Sequence, residues 1–266
     1  MRRDRLAEIS VGLAGGVAEC TKPGGFDDER YGPGRPLRGG LERASADERR
    51  KRIRSLWARN GTTCYRLLDA RGYEAIEARV TGSWDKWLRK GKYTFRPKNA
   101  VCHHGVIKFD WVMVTVPDGD VEASGPSFLV LNADGRIKHD YQFNPSVNDA
   151  GEAVERYLAV VNEASAERRR CLVAELYLDG GRHVTEASAS TGHGEIATAM
   201  AEAQAANGSR GVAVSPANRS QMHHQVAWFQ WHLKAKNNDQ IVAATSHLRF
   251  DEMGRIRFDY QFDEPA

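Results

Sequence analysis

The sequence predicts an α+β protein of two tandem units, each opening with helices and closing with an antiparallel meander. Three observations predict it. A set of residues returns at a constant offset, apolar spacing changes within each copy from a helical to an alternating period, and Gly- and Asp-rich turns punctuate the alternating part. The repeat is the strongest of the three. Ala44-Ser45-Ala46, Arg49-Arg50, Leu56-Trp57 and Gly61 return as Ala164-Ser165-Ala166, Arg169-Arg170, Leu176-Tyr177 and Gly181, an offset of 164 − 44 = 120. The offset holds through Gly72 and Ile76 (Gly192, Ile196), His103-His104 (His223-His224), and Phe109 with Trp111 (Phe229, Trp231). Gly135-Arg136-Ile137 and Asp140-Tyr141-Gln142-Phe143 return as Gly254-Arg255-Ile256 and Asp259-Tyr260-Gln261-Phe262, now at 254 − 135 = 119. One deletion in the second copy therefore lies between Trp231 and Gly254. A repeat of this length is a whole domain and not a solenoid unit. The predicted domains are 43–145 and 150–264, joined by a short linker at Pro145 to Asp149.

Residues 1–42 carry Gly24-Gly25, Gly32-Pro33-Gly34, Pro36 and Gly39-Gly40, too little apolar surface to offset the entropy of ordering, and are predicted to be disordered or loosely packed. Copy two opens with a periodic apolar stretch, Val154 to Val161, that predicts a helix. Copy one has Arg35 to Leu41 in its place, where Pro36 and two glycines forbid that helix, so its first helix is lost or replaced. Helical spacing over 46–60 (Ile53, Leu56, Trp57) and 166–179 (Val173, Leu176, Tyr177) predicts the next helix of each copy, with Gly61 and Gly181 as its stop. Short extended pieces at 62–67 and 182–187 lead to second helices at 72–89 and 192–206. Beyond them residues alternate, with His103, Ile107, Phe109, Trp111 and Met113 on one face, and His223, Ala227, Phe229, Trp231 and Leu233 likewise. Turns at Pro117 to Asp120 and Asn237 to Asp239 precede strands at 121–131 and 241–250; Asp134-Gly135 and Met253-Gly254 precede the last strands, 136–143 and 255–262.

Composition narrows the function classes. The chain has 266 residues, 41% of them hydrophobic, and a formal charge of +3. Such near-balance argues against a nucleic-acid partner, and no apolar run approaches the ~18 residues of a membrane span. The four cysteines, Cys20, Cys64, Cys102 and Cys171, form no Cys-x-x-Cys pair and do not recur between copies. Reduced thiols and a cytoplasmic setting are expected. Asp4, Glu8 and Glu19 argue against reading the basic, mildly apolar N-terminus as an export signal.

An ordered set of elements resembles the NTF2-like superfamily, its SnoaL-like branch most closely. The set comprises Arg49-Arg50 with Leu56-Trp57, Arg71-Gly72 with Ala75-Ile76, Tyr93-Thr94-Phe95, Phe109-Asp110-Trp111 and Asp134-Gly135-Arg136-Ile137. The resemblance implies a cone, a curved antiparallel sheet around helices with a pocket at the open end. It further implies cofactor-independent isomerases, cyclases, dehydratases or hydrolases of polyketide- or steroid-like compounds, alongside non-catalytic binders. Members commonly dimerise through the outer sheet face, so the tandem copy resembles a dimer made covalent; further oligomerisation stays open. A small hydrophobic molecule is the expected partner, and neither cofactor nor metal is expected.

The candidate residues follow from alternation. The branch often places a catalytic carboxylate after its first helix. Here copy one has Cys64-Tyr65-Arg66-Leu67 there and copy two has Val184-Thr185-Glu186-Ala187, so Glu186 is the one candidate, about one residue out of register. Adjacent strand residues face opposite ways, so His103 and His104 cannot share a metal ion. His103 and His223 remain as acid–base candidates or as strand-end histidines satisfied locally. His183 with Glu186 and His223 makes copy two the better candidate for chemistry. Trp57, Tyr65, Trp111, Tyr141, Tyr177, Trp231 and Tyr260 are expected to wall the two pockets or simply to fill the cores. Asp140 and Asp259 alternate away from the tyrosines and are expected on the outer face.

Overall fold

The computed structural model describes residues 45–65, 68–116, 118–144, 149–209, 212–235 and 240–264. The expectation for residues 1–42 lies outside the described residues, as does the turn at 237–239. Two compact units divide between Asn144 and Pro145.

Unit 1 runs α1 (Ala46–Leu56), β1 (Trp57–Tyr65), β2 (Leu68–Arg71), α2 (Gly72–Ser83) with a π-helical turn at Trp84–Leu88, then β3 (Tyr93–His103), β4 (Val106–Thr115), β5 (Val121–Leu131) and β6 (Ile137–Gln142). Unit 2 runs α3 (Gly151–Val161), α4 (Ala166–Leu176), β7 (Tyr177–Val184), β8 (Ala189–Thr191), α5 (Gly192–Ser209), β9 (Val212–His223), β10 (Val226–Ala235), β11 (Gln240–Phe250) and β12 (Ile256–Asp263). The sheets share one strand order, β2-β1-β6-β5-β4-β3 and β8-β7-β12-β11-β10-β9. Each is mixed. The meander is antiparallel, as expected of the α+β unit, and the added first strand runs parallel to the last, β1 to β6 and β7 to β12.

Local chemistry explains the starts and stops. Ser45 caps α1 in a capping box: its hydroxyl accepts from the Glu48 N–H and the Glu48 carboxylate accepts from the Ser45 N–H. Gly61 and Gly181 do not stop the helices. α1 and α4 end at Leu56 and Leu176, and both glycines lie inside the following strand. A Cβ at Gly61 would stand 2.8 Å from Trp57 Cδ1 and 2.9 Å from the Ile137 carbonyl; at Gly181 it would stand 2.8 Å from the Leu178 carbonyl and 3.0 Å from that of Ile256. Their smallness lets the chain double back tightly beside the parallel partner.

In each unit the helices cover one face of the sheet. Ile53, Leu56, Ile76 and Val80 pack there against Ile107, Phe109, Trp111, Leu129 and Ile137 in unit 1. Val154, Tyr157, Val173 and Ile196 pack against Ala227, Phe229, Trp231, Leu248 and Ile256 in unit 2. No helix among the described residues is long and apolar enough to cross a membrane. Cys64 and Cys171 are free thiols, and burial, followed by the charge of Asp140, pushes Cys64 up to about 11. Cys102 is disulfide-bonded, which corrects the expectation of reduced thiols throughout.

Candidate functional site

β12 carries Asp259 opposite Leu248 of β11 and His183 of β7, on the face that the helices cover. The carboxylate is wholly buried and His183 nearly so. An unpaired carboxylate in such a place costs several kcal/mol, so the fold must surround it with donors. Three converge on one oxygen. Asp259 Oδ2 lies 2.6 Å from His183 Nδ1 and accepts from the Tyr177 hydroxyl at 2.8 Å and the Tyr157 hydroxyl at 3.0 Å. Tyr157 comes from α3 and Tyr177 from the first residue of β7, so the array needs both that helix and the strand that follows α4. The Gln261 side-chain amide donates in turn to the Tyr157 hydroxyl.

The electrostatics hold the donors in their donating form. Burial, then the Asp259 charge, pushes both the Tyr157 and Tyr177 phenols well above the ordinary tyrosine range. They stay protonated and neutral, and each offers its proton to the carboxylate. The opposite oxygen, Oδ1, is sealed from solvent with no hydrogen bond. His183 is fixed through Nδ1, which leaves Nε2 as the second, chemically distinct nitrogen. Its side chain keeps 8% exposure where that of Asp259 keeps 0%, and Nε2 is not among the sealed, unbonded atoms. A buried carboxylate that fixes an imidazole by one nitrogen and leaves the other free is the arrangement that makes histidine a general base or acid.

Unit 1 has the same carboxylate with different donors around it. Asp140 Oδ2 accepts from the Thr63 hydroxyl at 3.0 Å and from the Gln142 amide at 2.8 Å, and Gln142 Oε1 accepts from Arg79 at 3.2 Å. Thr63 occupies the place of His183, and Trp57 that of Tyr177. The described part of unit 1 begins at Ser45, with no counterpart of α3 and so none of Tyr157. The indole pair differs too. Trp231 Nε1 donates to Ser246 Oγ at 3.0 Å, whereas Trp111 Nε1 and Ser127 Oγ are both sealed and unbonded. Gly125 stands opposite Trp111 where unit 2 has Ala244. A Cβ there would lie 2.7 Å from Trp111 Cζ2, so the glycine lets the indole lie against β5.

The structure brings only some of the sequence candidates together. His183 joins the array. Glu186, expected to act with His183 and His223, is exposed in the β7–β8 turn. His103 and His223 end β3 and β9 at two-residue hairpin loops. His104 and Gly105 have φ of 47° and 75°, His224 and Gln225 of 50° and 59°, the left-handed pair such tight hairpins require. In each pair the two imidazoles lie Nδ1 to Nδ1, at 3.3 Å in unit 1 and 3.0 Å in unit 2. Alternation carried through this loop mistakes a turn for a strand. Trp57, Tyr65, Trp111, Tyr177 and Trp231 lie on the helix-covered face. Tyr141 and Tyr260 lie on the opposite face, with Phe128 and Phe258 stacked on them. Asp140 and Asp259, expected outside, are on the inner face: the assignment was one residue out of phase, which turns every side chain over. Asp259 and Tyr157 are the residues missed. The signal was present, since the Asp-Tyr-Gln-Phe string is the most literal part of the repeat.

No family model matches the chain, and no curated protein does. Solved structures are similar to it. A SnoaL-like family protein from Agrobacterium tumefaciens is 25% identical over 45% of this chain and 100% of its own, with a TM-score of 0.41. A protein with a cystatin-like fold from Methylobium petroleophilum is 17% identical over 45% of this chain and 79% of its own, with a TM-score of 0.36. A SnoaL-like protein from Jannaschia is 14% identical over 42% and 85%, with a TM-score of 0.33. Each match spans less than half of this chain, the length of one unit.

Proposed function

We propose that unit 2 performs acid–base chemistry on a small hydrophobic compound, with His183 as the proton-transfer group and Asp259 as the residue that positions it. The observation that carries this reading is the 2.6 Å contact between a buried carboxylate and one nitrogen of an imidazole whose other nitrogen is left free. Tyr157 and Tyr177 donate to the same Asp259 oxygen and hold it in place beside the imidazole. The chemistry within reach is a proton moved between carbon and oxygen, or onto a leaving group, which covers isomerisation, cyclisation and hydrolysis without a cofactor. Two of the similar structures are named after an isomerase and a polyketide cyclase. Unit 1, with Thr63 for the imidazole, lacks the proton carrier.

The test is hydrogen–deuterium exchange at carbon, followed by proton NMR with a panel of cyclic ketones and β-keto esters in D₂O. The full chain is expected to accelerate exchange for at least one of them. His183→Gln is expected to cut that rate by roughly 10²–10⁴-fold, the usual contribution of a positioned acid–base group. Asp259→Asn is expected to cut it as well, while Thr63→Val in unit 1 leaves it unchanged. A rate indifferent to His183 removes proton transfer from this site.

A second reading is a non-catalytic ligand-binding or dimerisation module. One observation favours it: Asp259 is wholly enclosed and its Oδ1 is sealed, as in an array that serves only to hold α3 against the sheet. Under that reading His183→Gln changes stability and no exchange rate.

A further inference from the structure

Unit 2 holds a cavity of about 170 Å³ that the acid–base array does not use, lined by Gly151, Val154, Glu155, Pro216, Arg219, Ser220, Phe229 and Gln230. Its origin is legible in the backbone. The β9–β10 register breaks between Phe229 and Trp231, and Pro216, which cannot donate to the ladder, stands at the break. The strand therefore bows away from β10 over the residues that include Arg219. Helix α3 cannot sink in to fill the gap, because both of its ends are tied to β9. At the N-terminal end the Asp149 and Ala150 N–H groups donate to the Ser220 carbonyl and hydroxyl, and the Met222 N–H donates to Asp149. At the C-terminal end Asn162 exchanges two hydrogen bonds with the Val214 backbone. The void is held open between two fixed points.

Its lining is amphipathic. Val154, Pro216 and Phe229 give an apolar wall, while Glu155 and Arg219, opposite in charge and both exposed, line the same cavity. The two charges pair neither with each other nor with any other group among the described residues. An anion alone would meet Arg219 and be repelled by Glu155; a cation alone would meet the reverse. A molecule carrying both charges satisfies both. The volume lies below the about 300–1,000 Å³ of pockets that take drug-sized ligands, so the occupant is small.

We infer that this cavity is a binding site for a small zwitterion with an apolar side chain, the chemistry of a free apolar or aromatic amino acid. Its carboxylate meets the Arg219 guanidinium, its ammonium meets the Glu155 carboxylate, and its side chain lies on Val154, Pro216 and Phe229. The site stands apart from His183 and does not depend on the acid–base reading.

The test is titration of the isotope-labelled full chain, following amide shifts in α3 and β9, with L-phenylalanine, 3-phenylpropionate and phenethylamine. The zwitterion is expected to bind saturably and the two single-charge analogues at least tenfold more weakly. Arg219→Gln and Glu155→Gln, both exposed positions that leave the core intact, are each expected to weaken phenylalanine about tenfold, while His183→Gln leaves it unaltered. Absence of saturable shifts with phenylalanine, equal binding of all three compounds, or indifference to both charge changes overturns the inference.

Discussion

Asp259→Ala is expected to lower the unfolding free energy of unit 2 by about 3–5 kcal/mol, the cost of breaking a buried polar cluster from one side. The reason is the convergence on a single oxygen. Removing the carboxylate strands two phenols and an imidazole in a site closed to water, and each buried donor left unsatisfied costs about 1–3 kcal/mol. The effects do not simply add, since the three donors share one acceptor. Asp259→Asn keeps an acceptor oxygen and is expected to cost less, while its amide brings N–H groups that meet either the donors or the sealed Oδ1 side. Urea unfolding of the two variants beside the parent chain checks both statements. A loss under about 1 kcal/mol for Asp259→Ala would mean that the three contacts do not hold the unit together.

Alkaline instability is the second large effect. Both Tyr157 and Tyr177 titrate well above 10.0 in the folded chain, through burial first and the Asp259 charge second, and near 10.0 when unfolded. Below pH 10 the phenols are protonated in both states and the full stability is present. Above it the unfolded chain releases protons that the folded chain keeps, so stability falls as pH rises toward the folded values. Two such groups together steepen the fall by about 2.7 kcal/mol per pH unit. The double variant Tyr157→Phe/Tyr177→Phe is expected to be less stable at pH 8, yet to lose stability more gently from pH 10 upward. Denaturant midpoints measured across that range decide it by slope, which a merely weakened core would not flatten.

Much of this was legible in the residues, and the failures have physical causes. Helix and strand existence followed from period. The parallel β1–β6 and β7–β12 pairs were not legible, because nothing in a strand's own residues names its neighbour's direction. Gly61 and Gly181 read as helix stops because a glycine needed for close approach and one needed for a left-handed cap look alike in sequence. The inner and outer faces of β6 and β12 were exchanged for a related reason. Phe128, Tyr141, Phe262 and His247 are as buried as the core on the other side, so alternation of apolar and polar residues does not say which face meets the helices. Asp259 could not be found by hydrophobic pattern at all: a buried carboxylate is recognised by its donors, and those come from α3, β7 and β12. His183 was legible as a histidine that the first half of the sequence does not repeat, and Tyr157 lay in the periodic stretch Val154 to Val161.

Asp259 holds His183 by Nδ1, and the proposed proton transfer needs Nε2 to stay open. Long-range ¹H–¹⁵N NMR of the imidazoles, with His183→Gln to assign the signal, decides whether that hold exists. The 2.6 Å contact leads to a His183 ring with a persistent, hydrogen-bonded proton on Nδ1, and to loss of that persistent proton in Asp259→Asn. A neutral ring protonated on Nε2, or a His183 signal that Asp259→Asn leaves untouched, contradicts it.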